Sequence, residues 1–443
     1  MEIKEAGETE IEKPEGGLKM RICFIIFGIG SLLAWNAILS DISFFMNYQS
    51  DYDPSTSFSF CNFVFNIAFQ LIMIWRKQLL SYKRQLIIGL IASMISLVIL
   101  PLVVISFEKN SLSGFIVTAI IILFQGFVNA FCSSGFFGLT AFFPKEMIIS
   151  LSTGQGISGV LMNLIGYIVL ASVNTGDNDK DAEIGAIIYF SISGLILLLT
   201  LLALLYSFKT EYFRFYLEGT QEYNSNIIEN VKEIENERIT KDSTASQNSD
   251  EKLVEKKPSE EGKKEITFLQ LFKRLYEIDL LSCYIYVITF ALFPSVSISQ
   301  RLFKFGKYRQ ITIITIYNIG DTFGRSVISK CRFTLNLAYI IVCSRSLLVV
   351  TLILNFYLDM KLGIDPNLSS SLLLINVLAL AITNGIATSV CFGLAPTKVP
   401  GYMKGRSGSS ISFFNILGIF LGTCLAFLTK FIMNQIGVYE EKN

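Results

Sequence analysis

Long apolar stretches recur along the chain and are separated by shorter polar segments. A membrane-spanning helix needs about 20 mostly apolar residues to cross about 30 Å of hydrocarbon. With a window of that length, the sequence predicts eleven such segments. They lie near residues 21–46, 57–75, 85–106, 113–143, 148–173, 185–208, 278–302, 309–329, 335–358, 369–395 and 407–436.

The apolar segments do not alternate between apolar and polar residues, as the strands of a membrane β-barrel do. A chain in lipid has to satisfy its own backbone hydrogen bonds, and a helix does so within one segment. The sequence therefore predicts an all-α integral membrane protein with eleven transmembrane helices.

One long hydrophilic stretch, residues 209–277, divides the predicted helices into six and five. Its many charges and few apolar residues predict a largely disordered linker, with a short amphipathic helix on the membrane surface at FLQLFKRLYEI. We expect an N-terminal bundle over residues 21–208 and a C-terminal bundle over 278–436, between tails at 1–20 and 437–443. Transporters often bind their substrate between two such bundles.

The distribution of Lys and Arg over the short loops predicts the orientation, because these residues gather on the cytoplasmic side. With a cytoplasmic N-terminus, most basic loop residues face the cytoplasm and the acidic loop NTGDNDKDAEI faces outward. The basic residues concerned are Lys19, Arg21, Arg76, Lys77, Lys83, Arg84, Lys330, Arg332, Lys398, Lys404 and Arg406. Residues 301–309 are the exception. The linker is then cytoplasmic, the C-terminal tail is extracellular, and the plasma membrane is the expected location.

Composition narrows the class of protein further. Of 443 residues, 52% are hydrophobic and 16% are charged, which is too apolar for an ordinary water-soluble domain. With 37 basic and 36 acidic residues, the charge gives no support to nucleic-acid binding. Histidine is absent, and the eight cysteines are scattered singly without the spacing of a metal site. We therefore predict no metal and no cofactor.

An acid and a base interrupt the apolar segment that contains YNIGDTFGR. Asp321 and Arg325 are four residues apart, so they share one face of a helix and can pair. Each ionised side chain costs about 2.5–3.5 kcal/mol at the centre of a membrane helix, so we expect both to face the protein interior. Two interpretations stay open: a structural ion pair that holds helices together, or a pair that lines a polar cavity.

Other polar or helix-breaking residues recur inside the predicted helices. Trp35 and Asn36 are expected to interrupt the first helix, residues 152–159 (STGQGISG) open the fifth, Phe293 and Pro294 break the seventh, and Asn384 and Gly385 lie in the tenth. Each of these sets also has a packing interpretation. Gly418 and Gly422 have the GxxxG spacing, which favours close helix packing.

These segments, taken in chain order, resemble the motifs of the equilibrative nucleoside transporters. GSLLAWN at residues 30–36 resembles the family's G-x-L-L-P-W-N, and STGQGISG resembles its S-G-Q-G-x-x-G. FALFPSVS matches its F-P-x-x-T/S, YNIGDTFGRS resembles its F-N-x-x-D-x-x-G-R, and TNGIATSVCFGLAPTKV resembles its N-G-x-x-x-S segment. The departures are Ala34 where the family usually has Pro, Thr153 for Ser, and Tyr317 for Phe.

The resemblance implies an eleven-helix fold similar to the major facilitator architecture, with a nucleoside bound between the two bundles. It implies that Gln155 hydrogen-bonds the base and that Asp321 and Arg325 contact the sugar hydroxyls. It also places Leu32 and Trp35 beside the nucleoside.

The resemblance further places Phe293 in an outer gate, and we assign the neighbouring Pro294 to the same gate because a kink often forms one. These expectations together predict facilitative transport of nucleosides, purine nucleosides first and nucleobases as further cargo, by a monomer without enzymatic activity. Proton-coupled symport through Asp321 stays open. A membrane enzyme would need a nucleophile, base or metal ligands that the predicted helices do not offer, and a non-transporting scaffold is a third alternative.

Overall fold

Helices form every regular element in the described part of the chain. The structure, a computed structural model, describes residues 17–75, 80–172, 179–217, 268–299, 308–328, 334–358 and 362–435. Most of the two predicted tails and of the predicted linker lie outside the described residues, as does most of the basic loop at 301–309.

Seven helices of the described residues in the N-terminal half are named here in chain order. They are α1 (Gly17–Ser40), α2 (Ile42–Tyr48), α3 (Pro54–Trp75), α4 (Tyr82–Ser106), α5 (Leu112–Thr140), α6 (Lys145–Ser172) and α7 (Asp179–Ser207). A short 3-10 turn, Ser50–Tyr52, joins α2 to α3, and residues 211–217 are also helical.

The C-terminal half contains six further helices in its described residues. They are α8 (Phe268–Leu292), α9 (Ser295–Ser299), α10 (Arg309–Val327), α11 (Leu335–Tyr357), α12 (Pro366–Leu394) and α13 (Lys404–Gln435). The start of α12 has a clear local cause: Asp365 accepts hydrogen bonds from the backbone nitrogens of Asn367 and Leu368 at 2.8 and 3.0 Å, and Pro366 occupies the first turn.

Ten helices of the described residues are long and apolar enough to cross a membrane. They are α1, α3 to α7, α8 together with most of α9, and α11 to α13. Of the eleven predicted segments, the one outside this set is α10, whose 19 residues include Arg309, Asp321 and Arg325. The chain is therefore a multi-pass membrane protein.

Large apolar side chains are exposed on the outer faces of the helices, in addition to those buried in the core. On α11 the apolar side chains of Ile340, Leu347 and Val350 are exposed, whereas Arg345 is fully buried. Exposed apolar residues suit a lipid environment, and charged residues inside a membrane protein usually face its interior.

Two expectations about individual helices are wrong. Trp35 and Asn36 do not interrupt α1, which runs unbroken from Gly17 to Ser40; neither residue lacks a backbone donor, and the Asn36 amide donates to the Ser158 hydroxyl at 3.2 Å. The segment FLQLFKRLYEI is not a separate surface helix. It forms the first turns of α8, because nothing in it breaks a helix and Leu271 and Leu275 are buried.

The expected break at Phe293 and Pro294 is present. Helix α8 ends at Leu292, the two residues form a turn, and α9 begins at Ser295. Proline has no backbone N–H and its ring clashes with the preceding turn of a helix, which explains why α8 does not continue.

The two halves meet along a few long helices. Within the halves, α1 packs along α6, α8 along α13, and α10 along α12; between the halves, α10 packs against α6, and α13 packs against α3 and α5. Close glycine contacts make part of this possible. A Cβ atom at Gly418 would overlap the carbonyl oxygen of Cys283 on α8, which confirms the packing role predicted for this pair of glycines on α13.

Candidate functional site

A cavity of about 110 Å³ lies between the two halves, which is room for several water molecules. From the N-terminal half it is lined by Leu32, Trp35, Asn36, Leu39, Phe63, Asn66, Asn129, Ser133, Phe137 and Gln155. From the C-terminal half it is lined by Tyr286, Phe290, Phe293, Tyr317, Asn318, Asp321, Arg325, Asn384, Phe392, Ser412, Asn415, Ile416 and Ile419. Six of the predicted site residues, Leu32, Trp35, Gln155, Phe293, Asp321 and Arg325, thus lie at one cavity, and Pro294 is not among its lining residues.

The charged pair lies one turn apart on α10, on the face that lines the cavity. The Nε of Arg325 donates to Oδ2 of Asp321 at 2.6 Å, and the two residues are only 3% and 6% exposed. A buried ion pair repays the cost of removing two charges from water only when its remaining polar atoms also find partners.

The second carboxylate oxygen of Asp321 has such a partner on α12. Oδ1 accepts a hydrogen bond from Nδ2 of Asn384 at 2.7 Å. The neighbouring Gly385 brings the two helices together, because a Cβ atom there would overlap the backbone oxygen of Asp321. The small residue therefore positions the amide against the acid.

Arg325 also reaches across to the N-terminal half. Its Nη1 donates to the hydroxyl of Ser152 at 3.0 Å and to Oε1 of Gln155 at 3.2 Å, both on α6. The Nε2 of Gln155 in turn donates to the hydroxyl of Ser31 on α1 at 3.2 Å. The charged pair is therefore both a link between helices and part of the cavity wall.

Aromatic rings form another part of the cavity wall. Trp35 packs edge to face on Phe63, with 5.0 Å between ring centroids. Phe63 contacts Phe290 from the other half in the same way at 5.7 Å. Near the end of α8, Phe293 stacks on Tyr317 with centroids 4.0 Å apart. These rings offer flat apolar surfaces on which a planar group can stack.

A stacked pair of phenylalanines connects the halves at another part of the lining. The rings of Phe137 on α5 and Phe392 on α12 are parallel within 5° and 3.9 Å apart. Nearby, the hydroxyls of Ser152 and Ser389 lie 3.1 Å from each other. No sequence pattern predicted this contact, since a phenylalanine in an apolar helix is not distinguished from its apolar neighbours.

Several carboxamides of the cavity were also missed in the sequence. Asn66, Asn129, Asn318 and Asn415 line it. Asn66, Asn129 and Asn415 lie in long apolar helices, and Asn318 lies on α10. A polar amide within an apolar segment was the available signal. Together with Gln155, these side chains give the cavity both hydrogen-bond donors and acceptors without net charge.

Comparison with known proteins agrees with the sequence motifs. A protein-family model described as Nucleoside transporter matches residues 116–431. Equilibrative nucleotide transporter 4 of Arabidopsis thaliana is 25% identical over 423 residues, 94% of this chain and 96% of the plant protein. Equilibrative nucleoside transporter 1 of Mus musculus is 22% identical over 459 aligned positions, which cover 92% of this chain and 96% of the mouse protein.

Solved structures of the major facilitator superfamily have a similar fold. The proton:xylose symporter XylE matches with a TM-score of 0.60 and 13% identity, over 94% of this chain and 95% of that protein. The Escherichia coli fucose:proton symporter FucP matches with a TM-score of 0.52 and 13% identity, over 95% and 92%. At such low identity the likeness establishes the fold alone.

Proposed function

The chain belongs to the nucleoside transporter family, and on that premise we propose that it moves nucleosides across a membrane by facilitated diffusion. The observation on which this depends is the buried pair of Asp321 and Arg325 at a cavity between the two halves. In the proposed mechanism the halves rock about this cavity and open it to each side in turn. The solute is not chemically changed.

The charge of the cavity favours a nucleoside over a nucleotide. Among the described lining residues, Asp321 and Arg325 are the charged ones, and they neutralise each other. A phosphate carries about −1.5 to −2 charge near neutral pH, and recognition of phosphate usually depends on unpaired basic side chains. A neutral solute with many hydrogen-bonding groups suits the lining better.

We assign the base and the sugar to different parts of the cavity. Gln155 can donate and accept, so it is assigned to the edge of the base, while Leu32 and Trp35 form the wall beside it. Asp321 accepts a hydrogen bond from a sugar hydroxyl and Arg325 donates to one. Phe293 and Pro294 are assigned to the outer gate.

A proton-coupled version of the same transport is less favoured by the geometry. Asp321 receives hydrogen bonds from both Arg325 and Asn384. Both carboxylate oxygens of Asp321 are therefore already engaged within the protein, so the geometry favours facilitated diffusion over coupling to protons.

The topology belongs to the same proposal. We add α10 to the ten helices above, which brings the number of transmembrane helices to eleven. Its charged pair faces the protein interior, so the two charges are not exposed to lipid. Six spanning helices then precede the linker and five follow it. The basic loops give a cytoplasmic N-terminus, and we propose a monomer in the plasma membrane that takes purine nucleosides first.

The test is uptake of radiolabelled adenosine by cells that lack nucleoside transport and express this chain. We expect saturable uptake that brings adenosine to the same concentration on both sides of the membrane. Unlabelled inosine should inhibit this uptake, and adenosine monophosphate should not. Uptake should also be unchanged when the proton gradient is reversed. A lack of uptake with the chain at the cell surface would contradict the proposal, and accumulation driven by the proton gradient would favour the symport alternative.

A further inference from the structure

Arg345 on α11 is a buried cation that does not line the cavity. It is 0% exposed and is the largest fully buried side chain among the described residues. Within the part of the chain that the structure describes, it forms no ion pair with a carboxylate. An arginine inside a membrane protein is costly without partners, and such residues usually have a functional reason.

The partners of Arg345 are oxygens on two neighbouring helices. On α12, Nη1 donates to the carbonyl of Leu380 and the hydroxyl of Thr383, both at 3.3 Å. On α8, Nη2 donates to the carbonyl of Ile285 at 3.2 Å and to the hydroxyl of Thr289. The contact with Thr289 connects this arginine to the cavity.

The direction of the next hydrogen bond follows from the chemistry of arginine. A guanidinium can only donate, so the Thr289 oxygen accepts from Arg345 and has one proton of its own to give. Two acceptors lie 2.9 Å from it, the Ile285 carbonyl and Oδ1 of Asn384. The Ile285 carbonyl has two lone pairs, and it already accepts from Arg345 and, as a carbonyl of α8, from the backbone N–H four residues later. The Thr289 proton is therefore left for Asn384.

This bond holds the second end of the Asn384 carboxamide. Oδ1 accepts from Thr289, and Nδ2 donates to Oδ1 of Asp321 at 2.7 Å. Without Arg345, the Thr289 hydroxyl can donate to the carbonyl four residues earlier, as threonines in helices commonly do. Asn384 is then held only through its Nδ2, so the carboxamide can tilt and its hydrogen bond to Asp321 weakens.

We propose that Arg345 is a positioning residue for the sugar end of the site, acting on Asp321 through Thr289 and Asn384. The inference rests on the proposed function, in which Asp321 accepts a hydrogen bond from a sugar hydroxyl. The proposal adds a determinant of selectivity for ribose. Asn384 binds one carboxylate oxygen of Asp321 and Arg325 binds the other, so the remaining lone pairs of the carboxylate have fixed directions in which to accept from a sugar hydroxyl.

The sharpest test is Thr289→Val, which removes the hydroxyl but keeps the shape of the side chain, with Thr289→Ser as the matched control. The substrates are adenosine and 2′,3′-dideoxyadenosine, which lacks the 2′- and 3′-hydroxyls of the sugar. Uptake is corrected for cells without the chain. Thr289→Val should raise KM for adenosine about tenfold, as expected for one weakened charge-assisted hydrogen bond. KM for the dideoxy compound should change less than about twofold, and Thr289→Ser should behave as the wild type.

Arg345→Met should likewise raise KM for adenosine more than KM for the dideoxy compound. If Arg345→Met does not reach the membrane, the result with Thr289→Val alone tests the positioning role. Equal effects on both substrates, or no effect of Thr289→Val at a normal surface level, would overturn the positioning role. Absence of adenosine uptake by the wild-type chain would instead overturn the proposed function.

Discussion

Helices α10 and α11 each contain a buried arginine, and the two are stabilised in different ways. Arg325 on α10 donates to the carboxylate of Asp321 at 2.6 Å and lines the cavity. Arg345 on α11 donates to carbonyl and hydroxyl oxygens and is not among the residues that line it. In a medium of low polarity, a cation needs either an opposite charge or several oriented oxygens.

The difference matters for how each arginine can take part in transport. The contacts of Arg325 extend from α10 in the C-terminal half to Ser152 and Gln155 in the N-terminal half, so they must change when the halves move apart. The contacts of Arg345 stay within the C-terminal half. We therefore expect the first arginine to act directly at the solute and the second to act only through its neighbours.

The largest effect should come from breaking the pair on α10. Asp321→Asn keeps the shape of the side chain but leaves Arg325 buried without its carboxylate, a change that costs roughly 3–5 kcal/mol in comparable pairs. Adenosine uptake per molecule at the cell surface should fall on the order of 100-fold. Arg325→Ala should have a similar effect. Normal uptake by both variants would refute the assignment of this pair to the site.

A smaller effect, a loss of folding stability, should follow from a larger side chain at the contact between α10 and α12. Gly385→Val adds atoms where even a Cβ would overlap the Asp321 carbonyl, and such overpacking costs about 1–3 kcal/mol. Thermal unfolding of the purified protein should therefore occur at a lower temperature. Ser371→Val, at an exposed position of the same helix, is the control and should unfold as the wild type does. Equal stability of the two variants would argue against close packing at this glycine.

Removal of the amide that Arg325 contacts on α6 should have a milder effect. In Gln155→Ala the site loses one donor and one acceptor, worth about 0.5–1.5 kcal/mol for a typical hydrogen bond, so KM for adenosine should rise about two- to tenfold. The ratio of adenosine to uridine uptake should also change. Ser31→Ala removes only the hydroxyl partner of Gln155 and should change the ratio less. An unaltered substrate profile in Gln155→Ala would exclude this residue from base recognition.

The smallest effect is expected when Arg345 is replaced in a chain that already lacks the Asp321 carboxylate. If Arg345 acts only through Asp321, then adding Arg345→Met to Asp321→Asn should lower the remaining adenosine uptake by less than about twofold. The same substitution in the wild-type background should have a clearly larger effect on KM. A further tenfold loss in the double variant would mean that Arg345 contributes to transport independently of the carboxylate.

Local patterns predicted the helices well where a single rule governs them. The predicted segment at 85–106 corresponds to α4 (Tyr82–Ser106), and the one at 335–358 to α11 (Leu335–Tyr357). The prediction at FLQLFKRLYEI failed because charges along one face suggest a surface helix, whereas only the packed structure reveals that Leu271 and Leu275 are buried. Arg345 likewise interrupts an apolar segment, but its partners lie on two other helices and only the packed structure reveals them.

Sequence alone was enough to predict that this chain crosses a membrane as helices and that Asp321 and Arg325 face the same side of one of them. Both conclusions depend on local quantities: the thickness of the hydrocarbon layer and the four-residue spacing on a helix. Tertiary structure alone decided that Arg325 meets Ser152, 173 residues away, and that Arg345 meets Thr289, 56 residues away. Such contacts depend on how whole helices pack against one another, which no short stretch of sequence encodes.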